Sequence, residues 1–277
     1  MDSIRKKVQK VGSSYFVYLP KKWVESVKLE ENPYVDIVID TNGNVIISPT
    51  KPLEEKITEK KVKLEKYEPL LAHRFITNLY LDGYNKFEVV FGQKLNKNEI
   101  KYHQKRIEEL GLPVDVLEFT QEKAVFYSAE SYMPLRDLLK NSLNRLLNIY
   151  RTKKNEKDIR EWHRKELEKS HLSIERFFRR ALINPSILLG SKLKPIDCFF
   201  ISKIAEQVRE LDKLYTSVNQ DAREKVKKLI GLAIVLLEDL SFDKIWEYNS
   251  VLKDLEGSDV YSPLKKIERA LVGWYLA

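Results

Sequence analysis

The 277-residue chain is long enough for two or three small domains, and its net charge of +8 with an isoelectric point near 9.2 suits an anionic partner, nucleic acid first and acidic lipid second. A single cysteine, Cys198 in the apolar run PIDCFFIS, excludes an intrachain disulfide and a cysteine-based zinc site. The longest apolar stretch, Leu229 to Leu237, is about half a membrane span, and MDSIRKKVQK has no apolar run behind its charges, so the expected location is cytoplasmic, without a secretory signal or membrane insertion.

In the first fifty residues YFVYL (Tyr15 to Leu19) and YVDIVID (Tyr34 to Asp40) are rich in β-formers, TNGN (Thr41 to Asn44) is a hairpin signal, and VIISP closes the unit at Pro49. Between them KKWVESVKL sets Trp23, Val24, Val27 and Leu29 near one face of a short helix. Residues 51–66 are dense in charge and read as a connector. A helix from Tyr67 to Leu81, a stop at Gly83, the strand KFEVVF, a helix from Asn96 to Leu110 ended by Gly111, and the strands PVDVLEF and KAVFYS make residues 67–128 a small α+β module. Neither Gly83 nor Gly92 has the neighbours of a phosphate-binding loop.

From residue 129 onward the spacing is helical. Leu135, Leu138, Leu139, Leu143, Leu146, Leu147 and Tyr150 recur every three or four residues, an apolar stripe made to face a core. A helix from Glu156 to Ile183 is stopped by Asn184-Pro185, SILLGSKLKP links it to another starting near Ile196, and segments Asp221–Leu240, Phe242–Leu255 and Ser262–Leu276 complete a bundle over residues 129–277. The expected fold class is multidomain α+β: a β unit, a connector, a small mixed module and a helical bundle. Charges of both signs make up 32% of the chain and are intermixed, as on the ion-pair-rich surfaces of thermophilic proteins.

Met1 to Val24 holds six basic residues (Arg5, Lys6, Lys7, Lys10, Lys21 and Lys22) against Asp2. Lys7, Val8, Gly12, Ser14, Val17, Leu19, Pro20, Lys21 and Trp23, followed by VDIVID and NVIISP, form an ordered set that resembles the swapped-hairpin DNA-binding domain of AbrB-type regulators and MazE-type antitoxins. The resemblance implies that residues 1–50 build a dimeric β-barrel with a second copy and grip double-stranded DNA. Size points the same way, because about fifty residues with few apolar positions do not close a core alone, and an obligate homodimer presents one basic surface twice. The contact candidates are Arg5, Lys6, Lys7, Lys10, Ser13, Ser14, Lys21 and Lys22, with Arg5 the candidate for bidentate reading of guanine. EENPY (Glu30 to Tyr34) and Ser13 depart from the family's usual Lys-x-Gly-Asp-like turn and from the arginine some members carry.

LLKNSLNRLLNIY, the break ALINPSILLG, and FISKIAEQVRELDKL (Phe200 to Leu214) make the rest of the chain resemble archaeal PhoU-like phosphate uptake regulators, whose bundles hold metal ions on acidic motifs. The matching positions are Glu206 and Glu210, while the family's histidine after the acidic pair is missing; on the preceding helix Glu168-x-x-His171 has the spacing used by di-iron bundles. Arg151 to Arg180 carries eleven Lys/Arg against six Asp/Glu, so these acids read as surface ion pairs rather than metal ligands. His73, His103 and His163 lack partners at useful spacing and read as surface or packing residues; Trp162, Trp246 and Trp274 read as core or interface aromatics. No catalytic set is visible and no cofactor is called for, so the chain reads as a non-enzyme. The expected function is a homodimeric DNA-binding transcriptional regulator whose bundle senses a signal or recruits a protein partner, in phosphate uptake if the resemblance holds. The alternative is a helical adaptor that binds a protein partner, with the N-terminal domain only a dimeriser.

Overall fold

A computed structural model describes residues 6–39, 45–49, 58–128, 133–153, 155–183, 186–191 and 193–277, in two compact units, residues 1–56 and 57–277. In the first unit β1 (Gln9–Val11) and β2 (Ser14–Phe16) pair antiparallel across Gly12-Ser13, and Gly12 takes a φ of +64°, a left-handed conformation open to a residue without Cβ. The expected strand YFVYL is shorter: pairing stops at Phe16, and Val17 to Pro20 run on into α1 (Lys21–Ser26) without a strand partner among the described residues. β3 (Val35–Ile39) and β4 (Val45–Pro49) form the second ladder, in register from Val35 opposite Pro49 to Ile39 opposite Val45. TNGN, Arg5 and residues 51–57 of the expected connector lie outside the described residues.

The second unit begins with a correction. Glu59–Leu64, inside the stretch read as connector, is a strand, β5, parallel to β6 (Lys86–Phe91). Between them runs α2 (Pro69–Leu81), with Pro69 in its first turn and the Glu68 carboxylate accepting from the amides of Leu70 and Leu71. α3 (Lys97–Leu110) opens on a reciprocal Asn96/Glu99 capping box and ends on Gly111 at φ +60°. β7 (Asp115–Phe119) and β8 (Lys123–Tyr127) complete a four-stranded sheet of order β5-β6-β8-β7. Alternation along the central strands sends Phe87, Val89 and Phe91 of β6, and Ala124 and Phe126 of β8, into one buried layer with Ala72, Ile76 and Leu79 of α2.

Then come α4 (Leu135–Arg151), α5 (Lys157–Ile183), α6 (Ser186–Ser191), α7 (Pro195–Leu214), α8 (Gln220–Glu238), α9 (Phe242–Lys253) and α10 (Tyr261–Leu276). The short helix α6 falls within the stretch read as a plain link. Every residue of the α4 stripe is buried, and α4 packs on α5, α7 and α8. Each such leucine removed from water contributes about 1.5–3 kcal/mol before entropy is counted. Two hydrogen bonds cross this core: the Tyr150 hydroxyl donates to the Leu211 carbonyl at 2.9 Å, and the Trp274 indole donates at 2.7 Å to Asp197, tying α10 to the start of α7. Trp274 and Cys198 belong to the core, whereas Trp162 and Trp246 are exposed.

The mixed module and the bundle share one compact unit because α5, 27 residues long, reaches both. Its Leu172 joins the module's core and Ile174 the bundle's. Among the described residues, no helix is long and apolar enough to cross a membrane.

Candidate nucleic-acid interface

The N-terminal unit is unusual in what it leaves uncovered. None of its residues whose burial is described is buried, and many of its large apolar side chains are exposed, Tyr15 at 69%, Tyr34 at 70% and Ile39 at 71% among them, while Trp23, Val24 and Val27 of the helical segment are half-buried. β-strand alternation normally hides one face of a ladder, and here neither ladder buries a face against another element among the described residues of its own unit. Apolar surface of this extent calls for a cover of matching shape.

The cations stand on the same segment. Lys6, Lys7 and Lys10 lie on or just before β1, Ser13 and Ser14 at the turn and the start of β2, and Lys21 and Lys22 in the first turn of α1; all seven are exposed. Lys10 sits opposite Tyr15 in the ladder, its ammonium 5.9 Å from the ring centre. Lys21 pairs with Glu25 at 3.7 Å, one turn on, an exposed pair of small worth. Lys6, Lys7 and Lys22 have no ion-pair partner among the described residues. Charges left free on a narrow β unit are what phosphate tracking requires: ammonium groups that can exchange water and counter-ions for phosphate oxygens.

The acids considered as metal ligands are in the other unit, and each has a cation of its own. Glu168 lies 2.7 Å from Arg209, Glu210 2.6 Å from Lys213, and Glu206 3.5 Å from Lys203. Two cations of the basic stretch Arg151 to Arg180 pair with other acids, Lys169 with Glu166 at 2.8 Å and Arg164 with Asp212 at 2.9 Å. Burial pushes the Glu168 carboxyl up, with Arg209 pulling against it, and the hydrogen bond from Lys213 holds the Glu210 carboxyl down. The Nδ1 atom of His171 is buried without a partner, and no three His, Cys, Asp or Glu side chains among the described residues are grouped to hold a metal ion.

Sequence spacing missed a buried pair of rings. His73 on α2 and His103 on α3 lie 30 positions apart, yet His103 Nδ1 is 3.1 Å from His73 Nε2, and the Tyr67 hydroxyl is 2.5 Å from His103 Nε2. The only hint was that both positions fall on helix faces carrying apolar residues. Their role as packing residues fits the structure; their mutual contact was not legible. No curated protein and no solved structure matches the chain. A family match covers the two ladders and α1 of the N-terminal unit: residues 8–55 are similar to the family described as antidote-toxin recognition MazE, bacterial antitoxin.

Proposed function

We propose that this protein is a cytoplasmic, homodimeric DNA-binding regulator in which two copies of the N-terminal unit interleave their hairpins into one β-barrel and lay a doubled basic surface along the phosphate backbone. The observation that carries the reading is the coincidence, within residues 6–39, of apolar strands with no cover and lysines with no counter-charge. A second copy covers the first, and DNA neutralises the second. The similarity of residues 8–55 to the MazE antitoxin family supports this reading. Lys6, Lys7, Lys10, Lys21 and Lys22 make the phosphate contacts, Ser13 and Ser14 add hydroxyl donors at the turn, and Arg5 is the base reader. The helical unit takes the part of sensor or partner-recruiting domain, and its resemblance to PhoU-like regulators makes phosphate uptake the first physiology to test. None of these roles requires the chain to be an enzyme.

Retention of genomic DNA fragments by the purified protein at low and at physiological salt tests the grip. The parent is expected to retain discrete fragments, with affinity falling steeply as salt rises. The variant with Lys6, Lys10, Lys21 and Lys22 changed to Ala is expected to lose roughly a hundredfold at low salt, the salt slope falling by about 0.9 for each phosphate contact removed. Equal retention by parent and variant refutes the assignment, and sedimentation of both reads the dimer separately.

A further inference from the structure

α7 and α10 pack side by side and leave between them a cleft of about 330 Å³, at the small end of the range for metabolite sites. Its lining is chemically mixed. Phe199, Phe200 and Ala270 give an apolar wall, and Lys203, Lys266 and Arg269 give three cations. Glycine shapes the wall: a Cβ on Gly273 of α10 would stand 2.7 Å from the Phe200 ring, so its absence lets that ring lie against the helix, stacked on Trp274 at 6.4 Å. Phe199 remains 48% exposed beside it.

Two features point to a ligand. Lys266 and Arg269 have neither an ion pair nor a side-chain hydrogen bond among the described residues, and the one acid lining the cleft, Glu206, is already shared with Lys203. Gln207 is the most buried lining residue, 4% exposed, and its Oε1 is buried without a hydrogen-bond donor. An orphaned buried carbonyl is costly, and rotation of the amide about its last bond exchanges acceptor and donor, so the group can serve either kind of edge on a bound molecule.

We infer that this cleft binds a nucleoside phosphate, with the phosphate on Lys266, Arg269 and Lys203, the base against Phe199, and a polar edge of the base or sugar on the Gln207 amide. An anionic end, a flat apolar body and a hydrogen-bonding edge occur together in that class of small molecule. The site lies wholly within the helical unit and stands whether or not the N-terminal unit grips DNA.

Calorimetric titration of the full chain with adenosine monophosphate and guanosine monophosphate, and separately with adenosine and inorganic phosphate, tests it. At least one nucleotide is expected to bind once per chain, with adenosine and phosphate each weaker by about tenfold or more. The double variant Lys266→Ala/Arg269→Ala, both surface positions, is expected to lose about tenfold or more. Gln207→Leu keeps the size, removes the orphaned carbonyl, and is expected to weaken the nucleotide without weakening phosphate. The N-terminal lysine variant is expected to bind as the parent does. The inference is overturned if neither nucleotide binds, if phosphate alone binds as tightly, if the double variant binds unchanged, or if binding disappears with the N-terminal lysines.

Discussion

Replacing Arg176 with Met is expected to destabilise the unit of residues 57–277 by about 3–5 kcal/mol, the cost of emptying a buried, fully used guanidinium site. Arg176 is on α5 and only 6% exposed. Its guanidinium donates to the carbonyls of Tyr80, Gly83 and Tyr84, the last two at 3.2 Å, and lies 4.6 Å from the Tyr80 ring centre. These carbonyls lie in the last turn of α2 and just beyond it, where helix geometry leaves acceptors without intrahelical donors and the dipole is negative, so one planar cation serves as the cap. The Gly83 carbonyl also accepts from the Thr58 hydroxyl at 2.9 Å and that of Tyr80 from the Gly83 amide at 3.1 Å, which keeps the loss below three separate bonds. Met fills similar volume and donates nothing. Arg176→Lys retains charge but cannot reach three divergent carbonyls, and is expected to recover about half of the loss. Urea unfolding, with hydrogen exchange at the α2 amides as the local readout, decides: a Met variant within about 0.5 kcal/mol of the parent would mean that α5 and the module are held by apolar contact alone.

What the sequence made legible divides along physical lines. The α4 stripe was readable because its period matches the helix and a single face is buried, and Gly111 and the Asn96-x-x-Glu99 pair marked the ends of α3 through capping chemistry that needs no tertiary partner. β5 was hidden for the opposite reason. It is an edge strand hydrogen-bonded only to β6, so Lys61 and Lys63 face water beside Glu88 and Glu65, and Val62 and Leu64 alone carry the apolar signal. The N-terminal lysines were legible as an exposed basic cluster because they fall close together in the sequence. The anions on the bundle were legible as ion-pair members, but their partners were not: Arg209 reaches Glu168 from another helix, 41 positions away. The cleft of Lys203, Lys266 and Arg269 and the ring pair of His73 and His103 depend on helix packing in the same way, and local spacing does not say which side chains meet.

That ring pair makes the second unit acid-sensitive, and the sign is fixed by burial. His103 is fully buried and His73 is 5% exposed, among Tyr67, Tyr102, Phe91 and Phe119. Two imidazoles joined by one hydrogen bond share a single proton between them, so a further proton must be held as a buried cation and a second would set N–H against N–H. The nearby charges divide: Arg106 and the neighbouring ring disfavour a proton on His73, and Glu99 partly offsets burial at His103. Burial, then His103, then Arg106 push His73 down to about 4, burial lowers His103 as well, and burial first, with Glu99 behind it, pushes the Tyr67 phenol up to about 12, so it keeps its proton throughout. The unfolded chain takes up protons near 6.5, above the folded value, so stability is complete above that pH and is lost as pH falls from about 6.5 towards 4. For His73 alone the loss amounts to about 3 kcal/mol across that window. Denaturant unfolding between pH 7.5 and 4, comparing the parent with His73→Leu, isolates the effect from that of the carboxylates common to both. The variant starts less stable at neutral pH, because His103 loses its partner, and is expected to fall by about 3 kcal/mol less on acidification. Parallel curves for the two proteins would show that the rings titrate alike in the folded and unfolded states, and that the acid response of this unit belongs to its surface ion pairs.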